Sequence, residues 1–366
     1  GYFNGGNNGA IQGQSRSVFY SIENYLTYTK EIDENNSITA LLGASWQQTD
    51  QNYFQGDGFG SPSDAYGANN LGAASFKNSA SSLTAESLNS YFTRINYNLK
   101  GKYLLTFTAR ADGSSKFGDA NQWAFFPSAA AAWKVSEEDF LADNTVISNL
   151  KLRASYGKTG NSSIPAYSSE ARLGPGDLIG GSNIPGYTAA FGSGSAAGTG
   201  LITLENSDLR WEIMTQTDIG VELGLFNNRI SLELDYYNRK TTDMLLNAPV
   251  PESSGFSVLT QNIGSMENKG FELSLNTSNI VTPDFTWNST FNISMNKNKV
   301  LSLASPSDIF GVGSGDYLGG GSIIRIGEAM GSMYGFTRLG VWGTDEAAEA
   351  AQYNLLPGDV KHKDLN

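Results

Sequence analysis

Residues 103–112 read Tyr-Leu-Leu-Thr-Phe-Thr-Ala-Arg-Ala-Asp. Apolar side chains recur at every second position, as at Tyr103, Leu105 and Phe107, and polar or charged ones fill most positions between them. This period of two predicts a β-strand with one apolar and one polar face. The stretch is ten residues long, whereas strands of soluble proteins centre on about five or six.

The same alternation recurs along the whole chain, in about eleven candidate strands. They are 17–30, 36–53, 88–99, 102–112, 123–135, 150–158, 213–225, 229–246, 263–276, 285–297 and 331–342. A tilted strand that crosses a membrane needs roughly nine to eleven residues. We therefore predict an all-β protein, an antiparallel transmembrane β-barrel. Phe107 and Leu232 are then expected to face lipid and not a protein core.

The connections between these strands alternate in length. Short ones cover 31–35, 100–101, 226–228 and 276–284, and long ones rich in Gly, Ser and Asn cover 51–87, 112–122, 157–212, 247–262 and 298–330. The segment 136–149 falls on the short side and is expected to be helical. Short turns at one end and long loops at the other are typical of outer-membrane barrels, with turns periplasmic and loops extracellular.

Charged residues within the candidate strands occupy the polar face. They are Arg94, Arg110, Lys151, Arg153, Asp218, Glu222, Glu233 and Asp235. Charge facing lipid costs about 2–4 kcal/mol at the membrane midplane. These side chains are therefore expected to line a wet lumen or to contact a plug.

Composition excludes several kinds of chemistry. The 366 residues include no Cys and one His, His362, and the formal net charge is −12. Thiolate zinc sites, disulfides, multi-histidine metal sites and Ser-His-Asp triads lack their residues, and the negative charge argues against nucleic-acid binding. The sequence contains no run of 18 or more apolar residues, which a membrane-spanning helix would need. The 36 acids show no spacing typical of a glycosidase pair, so no enzyme and no cofactor are predicted.

A series of short motifs occurs in a fixed order. It comprises YFTRINY at 91–97, KYLLT at 102–106, RADGSSKFG at 110–118, FPSA at 126–129, AWK at 132–134, LKLRASYGKTGN at 150–161, WE at 211–212, NKGFEL at 268–273, NKNKV at 296–300 and PGDVK at 357–361. The series resembles the SusC/RagA family of TonB-linked outer-membrane proteins from Bacteroidota. The resemblance runs from about residue 17 to the end of the chain.

That resemblance implies a plugged 22-stranded barrel in the outer membrane that imports oligosaccharides or peptides. It implies energy from the TonB complex, which acts through a plug region, and a SusD-like surface lipoprotein as partner. Residues 1–366 would form about half of the barrel. The plug domain and the C-terminal closing strands are expected to lie outside both ends of this chain.

Aromatic residues in the long loops are the candidate ligand contacts, because sugar rings stack on aromatic faces. They are Tyr53, Phe54, Phe59, Tyr66, Tyr167, Tyr187, Phe191 and Tyr317. Trp123 and Trp211 lie at strand ends, where we favour a place in the interfacial aromatic girdle.

Two further motifs are weaker. Asp364 and Asn366 begin a calcium-loop pattern but supply two oxygen ligands, whereas Ca²⁺ takes six to eight; a bound metal is not expected in this segment. Residues 112–118 look like a phosphate-binding loop but lack its spacing, and their Gly and Ser residues suit a turn.

Two alternatives remain open from the sequence. One is a soluble or surface-attached β-sandwich that binds carbohydrate. The other is a structural or adhesive barrel without transport.

Overall fold

A computed structural model describes residues 9–175, 188–191, 194–197, 199–256, 258–304, 307–310 and 321–363. Ten strands form one sheet in which neighbours follow chain order. They are β1 (Gly9–Asp33), β2 (Asn36–Phe59), β3 (Phe76–Leu99), β4 (Tyr103–Ser114), β5 (Trp123–Lys134), β6 (Ile147–Asn161), β7 (Glu212–Leu225), β8 (Ile230–Thr242), β9 (Ser265–Val281) and β10 (Thr286–Ser302). Neighbouring strands from β1 to β8 pair antiparallel. The predicted all-β antiparallel architecture is confirmed, and the described sheet is open.

The first three strands are much longer than predicted. They have 24 or 25 residues, while β3 pairs with β4 only over Leu88–Leu99. Residues 9–20, 48–59 and 76–87, which we call the extension, therefore continue about 40 Å past the end of β4 at 3.3–3.4 Å per residue. The sequence prediction placed much of this in loops because Ser, Asn and Gly dominate it.

The apolar face of the sheet is exposed. Leu105, Phe107 and Ile219 retain 50%, 46% and 55% of their accessible surface, and Leu232 is half-buried. Such exposure over a whole face is unstable in water and is expected where a membrane covers it. The sandwich alternative is wrong, because the ten long strands share one sheet and no second sheet of comparable size packs on it within the described residues.

Three element predictions are corrected. Segment 331–342 holds two short strands in separate small sheets, Ser332–Met333 and Arg338–Val341. Gly331, directly before the first of them, takes a φ of 72°, which is not a strand conformation. Strand β8 ends at Thr242, where Asp243 takes a φ of 54°, and not at 246. Segment 136–149 contains two single 3₁₀ turns and no α-helix, since Glu138 between them is extended.

Smaller elements occupy the connections. Four short antiparallel pairs join Arg172–Pro175 with Thr199–Thr203, Thr188–Phe191 with Gly194–Ala197, Leu245–Pro249 with Val258–Asn262, and Arg338–Val341 with Val360–His362. A three-stranded sheet contains Ile309–Phe310, Ser322–Ile324 and Ser332–Met333. The 3₁₀ segments are Asp64–Ala73, Val135–Glu137, Asp139–Leu141, Glu252–Ser254, Thr344–Glu346 and Ala351–Tyr353, and one α-helix covers Ala347–Ala350. None of the helices described is long and apolar enough to span a membrane.

The chain divides into two compact units. One contains Gly1–Gly264 and Asn268–Asn296, and the other contains Ser265–Glu267 and Lys297–Asn366. The smaller unit has its own centre at Trp342, which stacks on Tyr353 at 5.9 Å and lies 4.1 Å from the ammonium of Lys361. The candidate functional site lies in the larger unit.

Candidate functional site on the inner wall

The polar faces of β4–β10 line a cavity of about 820 Å³. Its charged and aromatic lining consists of Lys151, Arg153, Asp218, Asp235, Tyr237, Arg239 and Glu272. We call this face of β4–β10 the inner wall. Alternation along each strand places the charges on this face and the apolar residues on the other, as the sequence pattern predicts.

Arg153 joins three strands of the inner wall. It lies on β6 opposite Gly220 of β7, and Gly220 lies opposite Asp235 of β8. The guanidinium crosses Gly220, and its Nη2 donates to Asp235 Oδ2 at 2.8 Å and to Glu233. Its Nε lies 3.6 Å from Glu222 Oε1 and has no hydrogen-bond partner among the described residues. One cation thus faces three carboxylates.

Gly220 makes this crossing possible. A Cβ at this position would lie 2.6 Å from Arg153 Nε and would also collide with Asp235 Oδ1. A glycine inside a strand often marks a close approach of this kind. Sequence analysis singled out the charges of the wall but missed this glycine, although its place within a strand pattern was a usable signal.

The polar network extends beyond Arg153. Its further contacts are Lys151 Nζ to Glu222 Oε1 at 3.1 Å, Ser155 Oγ to Asp218 Oδ2 at 3.0 Å, Gln216 Nε2 to Asp218 Oδ1 at 2.7 Å, and Arg239 Nε to Gln216 Oε1 at 2.9 Å. The ionic side chains are partly exposed, and ion pairs of this kind stabilise a fold by about 0–1 kcal/mol each. The network therefore does more to present ordered charge to the cavity than to hold the sheet together.

An apolar cluster lies at the loop end of the same unit. It consists of Phe117, Phe126, Ile164, Leu209 and Trp211, and we call it the mouth cluster. The Trp211 ring centroid is 5.3 Å from that of Phe117 and 5.5 Å from that of Phe126. Phe126 lies on β5, and the other four residues come from the β4–β5 and β6–β7 connections. The cluster therefore packs these two long connections against the sheet.

The girdle prediction is wrong for Trp211. This side chain is 5% exposed and its Nε1 donates to the carbonyl oxygen of Gln122 at 2.8 Å, so it packs against protein. Trp211 precedes the first residue of β7, and its ring packs on Phe117 and Phe126. Trp123 lies on the opposite face, 50% exposed and stacked on Tyr91 at 5.8 Å, which is consistent with a girdle.

The predicted ligand aromatics do not form one group. Tyr53, Phe54 and Phe59 lie within strand β2 and not in a loop. Alternation puts Tyr53 and Phe59 on one face and Phe54 on the other. Tyr167 is half-buried and its hydroxyl accepts a hydrogen bond from the Ala85 amide at 3.0 Å, so it anchors its loop to β3.

The remaining predicted positions are less informative. Tyr66 lies in the 3₁₀ segment Asp64–Ala73, and Phe191 ends a short strand. Tyr187, Tyr317, Asp364 and Asn366 lie outside the described residues. Ligand contact by the eight aromatics stays a prediction.

A polar clasp lies at the opposite, short-turn end of the sheet. Glu138 accepts hydrogen bonds from the Tyr103 hydroxyl at 2.6 Å and from Trp133 Nε1 at 2.9 Å, and Lys102 Nζ lies 3.3 Å away. The hydrogen bond from Tyr103, with smaller effects of Trp133 and Lys102, lowers the pKa of Glu138 below its ordinary value. The carboxylate thus holds two stacked aromatic rings at the rim of the exposed face.

Comparison with known proteins fits this arrangement. Residues 1–364 match the family described as TonB dependent receptor-like, beta-barrel. TonB-dependent receptor P26 of Formosa agariphila is 39% identical over 349 residues, covering 94% of this chain and 34% of that protein. TonB-dependent receptor SusC of Bacteroides thetaiotaomicron is 34% identical over 350 residues, covering 91% and 32%.

Among solved structures, the RagAB peptide transporter superposes with a TM-score of 0.77 at 28% identity, covering 90% of this chain and 35% of that one. The chain therefore spans about a third of the length of these relatives. The chain belongs to the family of TonB-dependent receptor β-barrels of the outer membrane.

Proposed function

We propose that the protein containing this chain is an active importer of oligosaccharides or peptides, energised by TonB and working with a SusD-like surface lipoprotein. The observation that carries the proposal is the contrast between the two faces of the sheet. One face is apolar and exposed, and the other presents an ordered set of charges to a cavity of about 820 Å³.

Similarity supports the proposal. SusC is a TonB-dependent receptor, and RagAB is a peptide transporter. The relatives are receptors and transporters, which favours transport over an enzymatic role. Because this chain spans about a third of their length, the rest of the barrel and the plug would be supplied by other parts of a longer protein.

The extension offers proposed ligand contacts. Tyr53 and Phe59 share one face of β2 with Gln55 and Asp57, and the Tyr53 hydroxyl donates to Gln55, whose Nε2 donates to Asp57 Oδ1 at 2.7 Å. Aromatic faces beside amide and carboxylate groups can stack on a ring or a peptide plane and hydrogen-bond its polar groups.

Uptake by whole cells tests the proposal. Isotope-labelled biomass is hydrolysed and separated into an oligosaccharide pool and a peptide pool, and retention of label is compared between wild-type cells, a deletion of this gene and a deletion of TonB. We expect both deletions to reduce retention from the same pool, and the restored gene to recover it. Unchanged retention from both pools in the gene deletion would instead favour the structural or adhesive barrel.

A further inference from the structure

Strand β3 has a free edge in the extension. Strand β4 pairs with residues Leu88 to Leu99 of β3 and ends at Ser114, opposite Leu88. Strand β3 begins earlier in the chain, at Phe76, so its first part extends past the end of β4. On its other side β3 stays paired with β2 along its whole length, with no shift of register. The free edge arises inside the sheet, from the early end of β4, so it does not depend on where the chain begins.

Backbone contacts at the top of β4 show which amides face this edge. Ser115 donates its amide to the Ser87 carbonyl at 3.0 Å, and Ala85 donates to the Tyr167 hydroxyl at 3.0 Å. Residues of the same parity direct their N–H and C=O groups to the same side in an antiparallel ladder. The backbone N–H and C=O groups of Lys77, Ser79, Ser81 and Leu83 therefore face the free edge.

The backbone groups of these four residues that face the edge are not paired with another strand of the described sheet. The Ser79 amide is held by the neighbouring Asn78 side chain at 2.9 Å, a local contact that an incoming strand can replace. Among the described residues, the backbone groups of Lys77, Ser81 and Leu83 form no hydrogen bond on this edge. Every residue from Phe76 to Leu83 is exposed.

Within the part of the chain that the structure describes, the edge lacks the usual protections against strand addition. Proteins block free edges with proline, inward charges, bulges or a covering loop. Residues 76–84 contain no proline and one charge, Lys77, and the pairing with β2 shows no bulge. An open edge of this kind is a template for an extended chain.

We propose that the β3 edge from Lys77 to Leu83 binds extended peptides by strand addition, as a capture site for the importer. The inference rests on the proposed function and assigns it peptides as a substrate class. A new strand would run antiparallel to β3 and continue the ladder that β4 begins. Four edge residues, each offering one donor and one acceptor, can form up to about eight backbone hydrogen bonds.

The backbone groups of the edge favour a polypeptide ligand, and its small side chains favour free peptides over a folded partner protein. Amide donors and acceptors repeated at strand spacing match a polypeptide backbone and have no counterpart in an oligosaccharide. Pockets for alternate side chains give strand addition its sequence specificity. The flanking side chains here are mostly small, as at Ser79, Ala80 and Ser81, so the edge suits a mixture of free peptides better than one folded partner.

The test measures peptide binding to the full-length protein in detergent by fluorescence anisotropy. The probe is the acetylated, fluorescein-labelled nonapeptide Gly-Thr-Ser-Val-Thr-Val-Ser-Thr-Gly, compared with the same peptide N-methylated at its five central amides. The variant Ser81→Pro removes an edge N–H without touching a bond to β2, a position where proline is tolerated. Ser81→Ala is the matched control.

We expect the wild type and Ser81→Ala to bind the unmethylated peptide at least about tenfold more tightly than the methylated one, from the loss of several backbone hydrogen bonds. Ser81→Pro should remove most of this preference. The inference is overturned if the wild type does not bind the probe at millimolar concentration or binds both peptides equally. It is also overturned if Ser81→Pro keeps the full preference.

Two further outcomes separate this inference from the proposed function. Oligosaccharide uptake that depends on the gene, without any peptide preference, would overturn the peptide edge and leave the importer standing. Release of a co-purifying protein by Ser81→Pro, with no binding of the probe, would assign the edge to a folded partner and overturn peptide capture. The methylated peptide tests the wild type directly, even if the proline variant fails to assemble.

Discussion

Replacing Trp211 by alanine should free the loops at the mouth of the barrel. Trp211 is 5% exposed and packs between Phe117 and Phe126. Truncating a buried Phe or Trp to alanine costs about 3–5 kcal/mol. The hydrogen bond from its Nε1 to Gln122 is lost as well, which would otherwise contribute about 1 kcal/mol.

This cost should appear as local opening, since the long strands below keep their pairing. Trypsin can cut after Lys116 and Arg210, which lie in the connections that the mouth cluster fastens. When opening is fast, cleavage follows the population of the open form. A loss of 3–5 kcal/mol at about 1.4 kcal/mol per factor of ten predicts cleavage faster by about two to three and a half orders of magnitude.

The assay is limited trypsin digestion of the full-length protein in isolated outer membranes, with cleavage sites identified by mass spectrometry. Trp123→Ala is the control, because Trp123 is 50% exposed on the opposite face and its loss should leave the rates within about threefold of wild type. Trp211→Phe keeps a ring and should accelerate cleavage by only about fivefold. Equal rates for Trp211→Ala and Trp123→Ala would refute the role assigned to the mouth cluster.

Three further predictions concern other parts of the sheet. Gly220→Val should displace Arg153 and destabilise the barrel by about 1–3 kcal/mol. The measurement is the temperature at which heating changes the mobility of the protein on a gel, which this variant should lower and the control Ile219→Val should not. An equal change in that temperature for both variants would contradict the passage of Arg153 over Gly220. Glu138→Gln should lower that temperature at neutral pH. Because the pKa of Glu138 is lowered in the fold, its contribution to stability is complete above the ordinary pKa of 4.5 and is lost as the pH falls through the lowered pKa. A temperature difference between wild type and Glu138→Gln that stays constant down to pH 3 would contradict the role assigned to the Glu138 carboxylate. Tyr167→Phe removes the hydroxyl that accepts the Ala85 amide and should speed cleavage after Arg172 by about fivefold, with Tyr53→Phe as a control that should not.

The alternation repeated along the chain, together with the alternating lengths of the connections, was sufficient to predict an all-β antiparallel barrel and the face that is turned to the membrane. Alternation is a local property with a period of two, and a strand exposed to lipid on one face and water on the other must carry it. For the same reason the sequence placed Arg153 and Asp235 on the polar face. The short motifs then indicated the family, which the comparisons confirm.

Only the tertiary structure determines which of the polar-face and strand-end residues are in contact. The contact of Arg153 with Asp235 crosses a whole strand and depends on Gly220 between them, a relation set by register and not by spacing along the chain. Trp211 and Trp123 look alike as strand-end aromatics, yet one is buried and the other exposed, because the face of a residue outside the alternating segments depends on how its loop returns. The free edge of β3 likewise exists only because the pairing with β4 stops at Leu88, 12 residues from the first residue of β3. The sequence pattern of one strand does not determine the length of its neighbour.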